Sequence, residues 1–202
     1  MISTMTSRPA AIALPADALV LLVGAAGSGK TSLAARLFPP EAVLSSDALR
    51  AELSGDPANQ AVSRLAFQLL HGRAESRLAA GRLTVVDATN VTAAARRPLR
   101  RLAARHGRPV IAVVLDLPPA TCLERNARRP GRTVPEPAVL RQLADLRRAV
   151  DRGELGAEGF DELVILTESA SVDGTTVGLT KPARAATLSV PALPRRTRRR
   201  MP

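Results

Sequence analysis

The chain has 202 residues, 46% of them hydrophobic, enough to bury one sizeable core and build a single domain with tails. Its one cysteine, Cys122, precludes an intrachain disulfide framework and fits a reducing compartment, and no apolar run is long enough to cross a bilayer, so a soluble, cytoplasmic protein without membrane contact is expected. The net charge of +11, nearly all of it arginine because Lys30 and Lys181 are the only lysines, favours a polyanionic partner, while three aromatic residues, Phe38, Phe67 and Phe160, are too few for a passive single-strand binding platform.

Residues 1–16 read as a flexible segment, and Pro15 and Asp17 interrupt any resemblance to a signal peptide. Ala18 to Val23 is an apolar run that suits a buried strand. It feeds Gly24-Ala25-Ala26-Gly27-Ser28-Gly29-Lys30-Thr31, a full G-x-x-x-x-G-K-T phosphate-binding loop. The glycines let backbone N–H groups turn inward around the phosphates of a nucleoside triphosphate. Lys30 neutralises the β and γ oxygens, and the Thr31 hydroxyl can hold Mg²⁺. A helix beginning near Lys30, with Leu33, Ala34 and Leu37 on its apolar stripe, aims its positive dipole end at the same phosphates.

Pro39-Pro40 stops that helix. A short strand over 42–45 leads to Asp47 at a strand end and a helix over 48–53. A long helix follows, with Val62, Leu65, Ala66, Leu69 and Leu70 on one stripe, ending near Gly81. Residues 83–87 form a β-branched strand closing on Asp87, with Thr89 and Asn90 expected in the same cleft. The arginine-rich stretch from Ala93 to His106 reads as a helix stopped by Gly107, and 110–115 as a buried strand. Pro118-Pro119 precedes a helix through Glu124. Residues 125–137 are irregular, 138–150 helical, and 163–166 a last strand. This alternation predicts an α/β fold, a P-loop NTPase with three α/β/α layers, a mostly parallel central sheet and an arginine-rich lid. In such a sheet the ligand lies at the carboxyl ends of the strands. The domain is expected over 17–167, and 168–202 as a basic, disordered tail. Asp173-Gly174-Thr175 has the form of part of a phosphatase motif, but Ser171 stands where the nucleophilic carboxylate would be, so no phosphatase module is read there.

Phosphoryl transfer to a hydroxyl needs a group that orients the acceptor and takes its proton, and cations that neutralise the moving charge. Asp47 and Arg50 are three apart, so one helical turn puts the carboxylate and the guanidinium on one face, suiting an acceptor with a hydroxyl beside an anion. Asp87 resembles a Walker B acid that would reach Mg²⁺ or its waters. Arg125, Arg128, Arg129 and Arg132 lie where a closing lid would bring cations to the γ-phosphoryl group, and spacing does not decide which of them points inward. His71 and His106 lack metal-ligand spacing and read as structural.

These motifs, with Ser45-Ser46-Asp47-Ala48-Leu49-Arg50, Val85-Val86-Asp87-Ala88-Thr89-Asn90 and Cys122 to Arg132, resemble the P-loop polynucleotide 5′-kinases, in particular the kinase module of bacterial polynucleotide kinase-phosphatases, over about residues 18–167. The resemblance implies ATP-dependent phosphorylation of the 5′-hydroxyl end of RNA or DNA. In it Lys30 and Thr31 would meet ATP and Mg²⁺, Asp47 would be the general base, Arg50 would hold the acceptor phosphate, and Arg129 would contact ATP phosphates. The phosphatase and ligase-like domains of larger members have no counterpart here, so separate proteins would supply those steps. Relatives of the wider group act on sugars, antibiotics and other small molecules. A small-molecule kinase and a non-catalytic ATP-binding protein therefore stay as alternatives, and the oligomeric state is open.

Overall fold

The computed structural model describes residues 2–6, 8–129, 131 and 133–182. In chain order its elements are β1 (Ile2–Thr6), β2 (Ala11–Pro15), β3 (Leu19–Gly24), α1 (Lys30–Leu37), β4 (Val43–Ser45), α2 (Ser46–Ser54), α3 (Ser63–Ala79) and β5 (Thr84–Asp87). They continue with α4 (Ala93–Arg105), β6 (Val110–Leu115), α5 (Pro119–Ala127), α6 (Glu136–Asp151), α7 (Glu154–Ala157), β7 (Glu162–Leu166), α8 (Ser169–Gly174) and β8 (Thr176–Thr180).

Strands β3 and β6 are uninterrupted apolar runs because both of their faces are covered. Alternate residues of β3 divide between two cores. Leu19, Leu21 and Val23 pack with α3 and α4 through Ala66, Leu70 and Leu99. Val20 and Leu22 pack with α1 and α5 through Leu33, Ala34 and Cys122. The outcome is the expected α/β/α sandwich around a parallel sheet in the order β1-β7-β6-β3-β5-β4. After β3 the chain builds β4 and β5 on one side, then crosses to β6 on the other. The sheet's topological switch point therefore falls beside the end of β3, where the glycine-rich loop begins.

Order extends past the limits that composition suggests. The N-terminal segment read as flexible contributes β1, parallel to β7, and β2, parallel to β8. The first part of the expected tail forms α8 and β8. β2 alternates exposed Ala11 and Ala13 with Ile12 and Leu14, which join the core, and α8 is also held by tertiary bonds. Arg36 donates from Nη1 to Thr175 O at 2.7 Å and from Nη2 to Val172 O at 2.6 Å, tying the end of α8 to α1. Thr175, inside the Asp173-Gly174-Thr175 sequence, is buried and donates to Ser171 O at 2.6 Å, a structural use of that motif. The arginine cluster at 195–200 lies outside the described residues. On α3 the buried stripe is Ala66, Leu70, Ala74 and Leu78, whereas Leu65, expected on it, is exposed. No helix among the described residues is long and apolar enough to cross a membrane.

Candidate active site

The loop from Gly24 to Gly29 joins β3 to α1, with Gly27 and Gly29 at φ of 81° and 96°, backbone that favours glycine. At Gly27 a second constraint applies, since a Cβ there would stand 2.0 Å from the carbonyl oxygen of Cys122. The loop rests directly on α5, and only a residue without a side chain fits. Ala26 N donates to Gln142 Oε1 at 2.8 Å, and Gly24 N donates to Thr89 O at 3.0 Å, fixing the loop from α6 and from the end of β5. Gln142 is a support that sequence reading missed; it belongs to a helix whose other positions read simply as amphipathic.

Lys30 is buried at the head of α1, and its Nζ donates to Ala25 O at 2.8 Å and to Ser28 Oγ at 3.3 Å. Burial pushes its pKa down from 10.5 to about 8; Asp87 acts against that shift and Arg129 adds to it. Thr31 Oγ1 donates to Asp87 Oδ2 at 2.9 Å, joining the first turn of α1 to the carboxyl end of β5. A hydroxyl and a carboxylate in this placement are hard oxygen donors suited to Mg²⁺, an ion that keeps several waters and relies on phosphate oxygens. Two oxygen donors of this kind fit a metal that also takes phosphate oxygens of a nucleotide as ligands.

Asp47 lies in the first turn of α2, one residue inside the helix from where the sequence suggested a strand end, because Ser45 takes the N-cap and accepts from Ala48 N. The i, i+3 spacing brings Arg50 Nη2 onto Asp47 Oδ1, while Arg50 Nε donates to Pro57 O at 2.8 Å. Arg129 Nη2 stands 3.7 Å from Asp47 Oδ2 across the mouth. Of the three described lid candidates, Arg129 is the one that lines both cavities flanking the loop. Arg125 lines the cavity on the other side of the loop from Asp47 and donates to Ser169 Oγ at 3.0 Å. Arg128 turns outward to pair with Glu124 at 2.8 Å, and Arg132 lies outside the described residues. Asn126 braces this segment, donating to Val134 O at 2.8 Å and accepting from Val134 N at 3.1 Å.

Two cavities meet at Lys30, Thr31 and Arg129. One, about 490 Å³, runs from the loop past Arg36 and Arg125 to Val172 and Asp173. The other, about 440 Å³, contains Asp47, Arg50 and Asp87 and is walled by Phe67, Thr133 and Gln142. The candidates Lys30, Thr31, Asp47, Arg50, Asp87 and Arg129 thus converge on the second cavity, and Gly27 and Gly29 with Arg125 on the first, while Gly24 lies at the end of β3 and lines neither. Thr89 faces the second cavity as expected, but Asn90 does not. It is buried at φ 51°, donates from Nδ2 to Leu22 O at 2.9 Å, and its carbonyl accepts from Arg96 Nη1 at 2.8 Å. Its role is to fix the turn after β5. Phe67, an isolated aromatic on α3, carried no sequence signal for a place in the site. His71 has its pKa lowered by burial, and His106 lies 3.7 Å from Glu75; neither enters these cavities.

A glycine-rich loop at a parallel-sheet switch point, a Lys and Thr at the following helix and an acid at the neighbouring strand end define a P-loop domain of the kinase type. A model of the AAA domain family, AAA_33, matches residues 19–152, and the chain belongs to that family. No curated protein matches it. Among solved structures it is similar to the AvrRxo1-ORF1:-ORF2 complex with ATP, at 21% identity and a TM-score of 0.56 over 72% of this chain and 52% of that one. It is also similar to a chain of the Pnkp1/Rnl/Hen1 RNA repair complex, at 18% identity and a TM-score of 0.57 over 73% and 47%. A gluconokinase from Sinorhizobium meliloti 1021 aligns at 20% identity and a TM-score of 0.50 over 79% and 87%. The chain spans about half the length of the first two. Likeness at this level shows a common P-loop kinase fold.

Proposed function

We propose that the protein is an ATP-dependent phosphotransferase with an alcohol acceptor, and that the acceptor is the 5′-hydroxyl end of RNA or DNA. The observation that carries the reading is the shared floor of the two cavities: Lys30, Thr31 and Arg129 border both, and Asp47 and Arg50 border the second. A nucleotide whose triphosphate follows the loop would present its terminal phosphoryl group where Asp47 can orient an incoming hydroxyl. Asp47 accepts the proton as the new oxygen–phosphorus bond forms and the β,γ-bridging bond breaks, leaving ADP. Lys30 and Arg129 neutralise charge on the transferring group, and Arg125 binds on the nucleotide side. Thr31 and Asp87 would hold a Mg²⁺ ion arriving with the nucleotide, which would add to the neutralisation of the phosphate oxygens. Arg50, held by Pro57 O and facing the same cavity as Asp47, suits an anionic group a few bonds away from the acceptor hydroxyl, as in a nucleotide with a 3′-phosphodiester. The basic net charge and the structural likeness to a chain of an RNA repair complex support the nucleic-acid acceptor.

A cavity of about 440 Å³ is also the size of an ordinary small-molecule site, which favours a phosphorylated or otherwise anionic metabolite as the second reading. One acceptor panel separates them: labelled γ-phosphate from ATP is offered to 5′-OH oligonucleotides, nucleoside 3′-phosphates, sugars and sugar acids. Transfer to the oligonucleotides supports the first reading. Transfer confined to a metabolite replaces it with the second, and ATP binding without transfer to any acceptor leaves a nucleotide-binding protein.

A further inference from the structure

From the groove between α3 and α4 we infer an extended binding track for a single-stranded polynucleotide leading away from the acceptor cavity; this deepens the nucleic-acid reading above and rests on it. Phe67 walls the acceptor cavity, and His71, four residues on, projects from the same face of α3 into an open groove of about 780 Å³. The two spaces therefore follow one another along a single helix face. On its other bank α4 contributes Pro98, Arg101, Leu102 and Arg105. The floor is partly apolar and one rim is cationic, the combination that lets bases lie against carbon while phosphates meet guanidinium groups.

The arginines are regularly disposed. Arg97, Arg101 and Arg105 recur every four residues, are exposed, and form a stripe about 12 Å long at the helical rise. The other arginines of α4 are engaged inward: Arg96 is fully buried against Glu158, and Arg100 lies over the Phe160 ring at 5.2 Å and 3.5 Å from Glu158. Arg105 Nη1 is 3.3 Å from Glu75 on the facing helix, which keeps the one acid of the groove neutralised. Neither Arg97 nor Arg101 pairs with a carboxylate among the described residues. Helix α4 starts only a few residues after Asp87 and Thr89, so the stripe begins near the reacting end and runs down the side of the domain. Charge complementarity selects a polyanion, and the succession of Phe67 in the acceptor cavity and His71 in the groove along one face of α3 selects a strand entered by its end.

The double variant Arg97→Gln/Arg101→Gln tests this because both side chains are exposed and their loss breaks no ion pair; an unchanged melting temperature confirms the fold. Arg8→Gln/Lys181→Gln removes the same charge near β2 and β8, away from the groove. Binding of a fluorescent 20-nucleotide single strand is measured by anisotropy across a salt series. For the α4 variant the expected result is at least about tenfold weaker binding at low salt and a log–log salt slope shallower by about 1.4, two lost single-strand phosphate contacts, with the control variant near wild type. In kinase assays KM should rise for the oligonucleotide and stay unchanged for a nucleoside 3′-phosphate. Equal losses in both variants, or none in either, would overturn the track, as would a wild-type protein that does not bind the strand. Stripe-dependent binding by a protein that transfers phosphate only to metabolites would keep the track and remove the nucleic-acid kinase reading. Stripe-dependent capture of an acidic peptide with no strand binding would assign the groove to a protein partner and overturn this proposal.

Discussion

Thr31 Oγ1 donates to Asp87 Oδ2 at 2.9 Å, so the first turn of α1 is latched to the end of β5 at the point where the phosphate loop opens. The two oxygens are the donors expected to turn toward a metal that enters with the nucleotide. Thr31→Val and Asp87→Asn should each weaken binding of ATP with Mg²⁺ by about tenfold or more while changing binding of ATP in excess chelator far less. Titration with a fluorescent ATP analogue, with and without Mg²⁺, reads the difference. Equal weakening in both conditions would mean that the pair only holds the loop.

Asp47 shares its cavity with Lys30, Thr31 and Arg129 and is braced by Arg50. If it takes the proton of the acceptor, Asp47→Asn should lower kcat by about 10²–10⁴ with KM for ATP little changed, since the amide keeps the shape but not the basicity. Steady-state kinetics on whichever acceptor is active checks this. A variant within a few-fold of wild type would relieve Asp47 of the role.

The loop, its strand and its helix were legible in the sequence because backbone chemistry dictates them: a β-branched or aliphatic run, glycines where φ is positive, and Lys-Thr at the helix start. Asp47, Arg50 and Asp87 were legible as types at element ends. A parallel sheet already puts both acids at or just past the carboxyl ends of their strands near the loop, and the order β3-β5-β4 does so; the sharing of one cavity by Asp47, Arg50 and Arg129 was not legible, because it depends on side-chain placement across elements. Spacing alone did not choose Arg129 among the lid arginines, and only the family resemblance pointed to it; its placement depends on the turn braced by Asn126, which no local pattern encodes. The terminal strands and α8 escaped for a related reason. Ala11–Pro15 does alternate, with Ile12 and Leu14 buried, but five residues bounded by Pro9 and Pro15 are too short a run to stand out, and α8 is pinned by a distant side chain, Arg36. The burial of Arg96 could have been inferred, since it falls three residues before Leu99 and seven before Ala103 on the buried face of α4.

Arg96 is fully buried, donating through Nε to Glu158 Oε2 at 3.0 Å and through Nη1 to Asn90 O at 2.8 Å. Arg96→Leu would leave the Glu158 carboxylate and the Asn90 carbonyl without their partner. The expected cost is about 3–5 kcal/mol of stability, as for a broken buried ion pair. Urea unfolding measures it. Because Asn90 follows Asp87 and Thr89, residual folded protein should also lose ATP affinity, whereas Arg97→Leu, on the exposed side of α4, should do neither.

Lys30 gives the site a proton linkage whose sign is fixed by its burial, which lowers its pKa from 10.5 to about 8. Between these values the folded protein carries fewer protons at this group than the unfolded chain, so the ligand-free protein gains stability as pH rises across that window; below about 8 the cost of the buried ammonium is fully present. ATP phosphates favour the charged amine and raise its pKa again. Binding of ATP at about pH 8.5 should therefore draw in a proton, and the uptake should fade toward about pH 6.5, where Lys30 is already protonated in both states. Calorimetric titrations in buffers of different ionisation heat count the protons directly. Uptake that does not grow from the lower to the higher pH would show that Lys30 keeps its charge in the unliganded loop, and that Asp87 outweighs burial there.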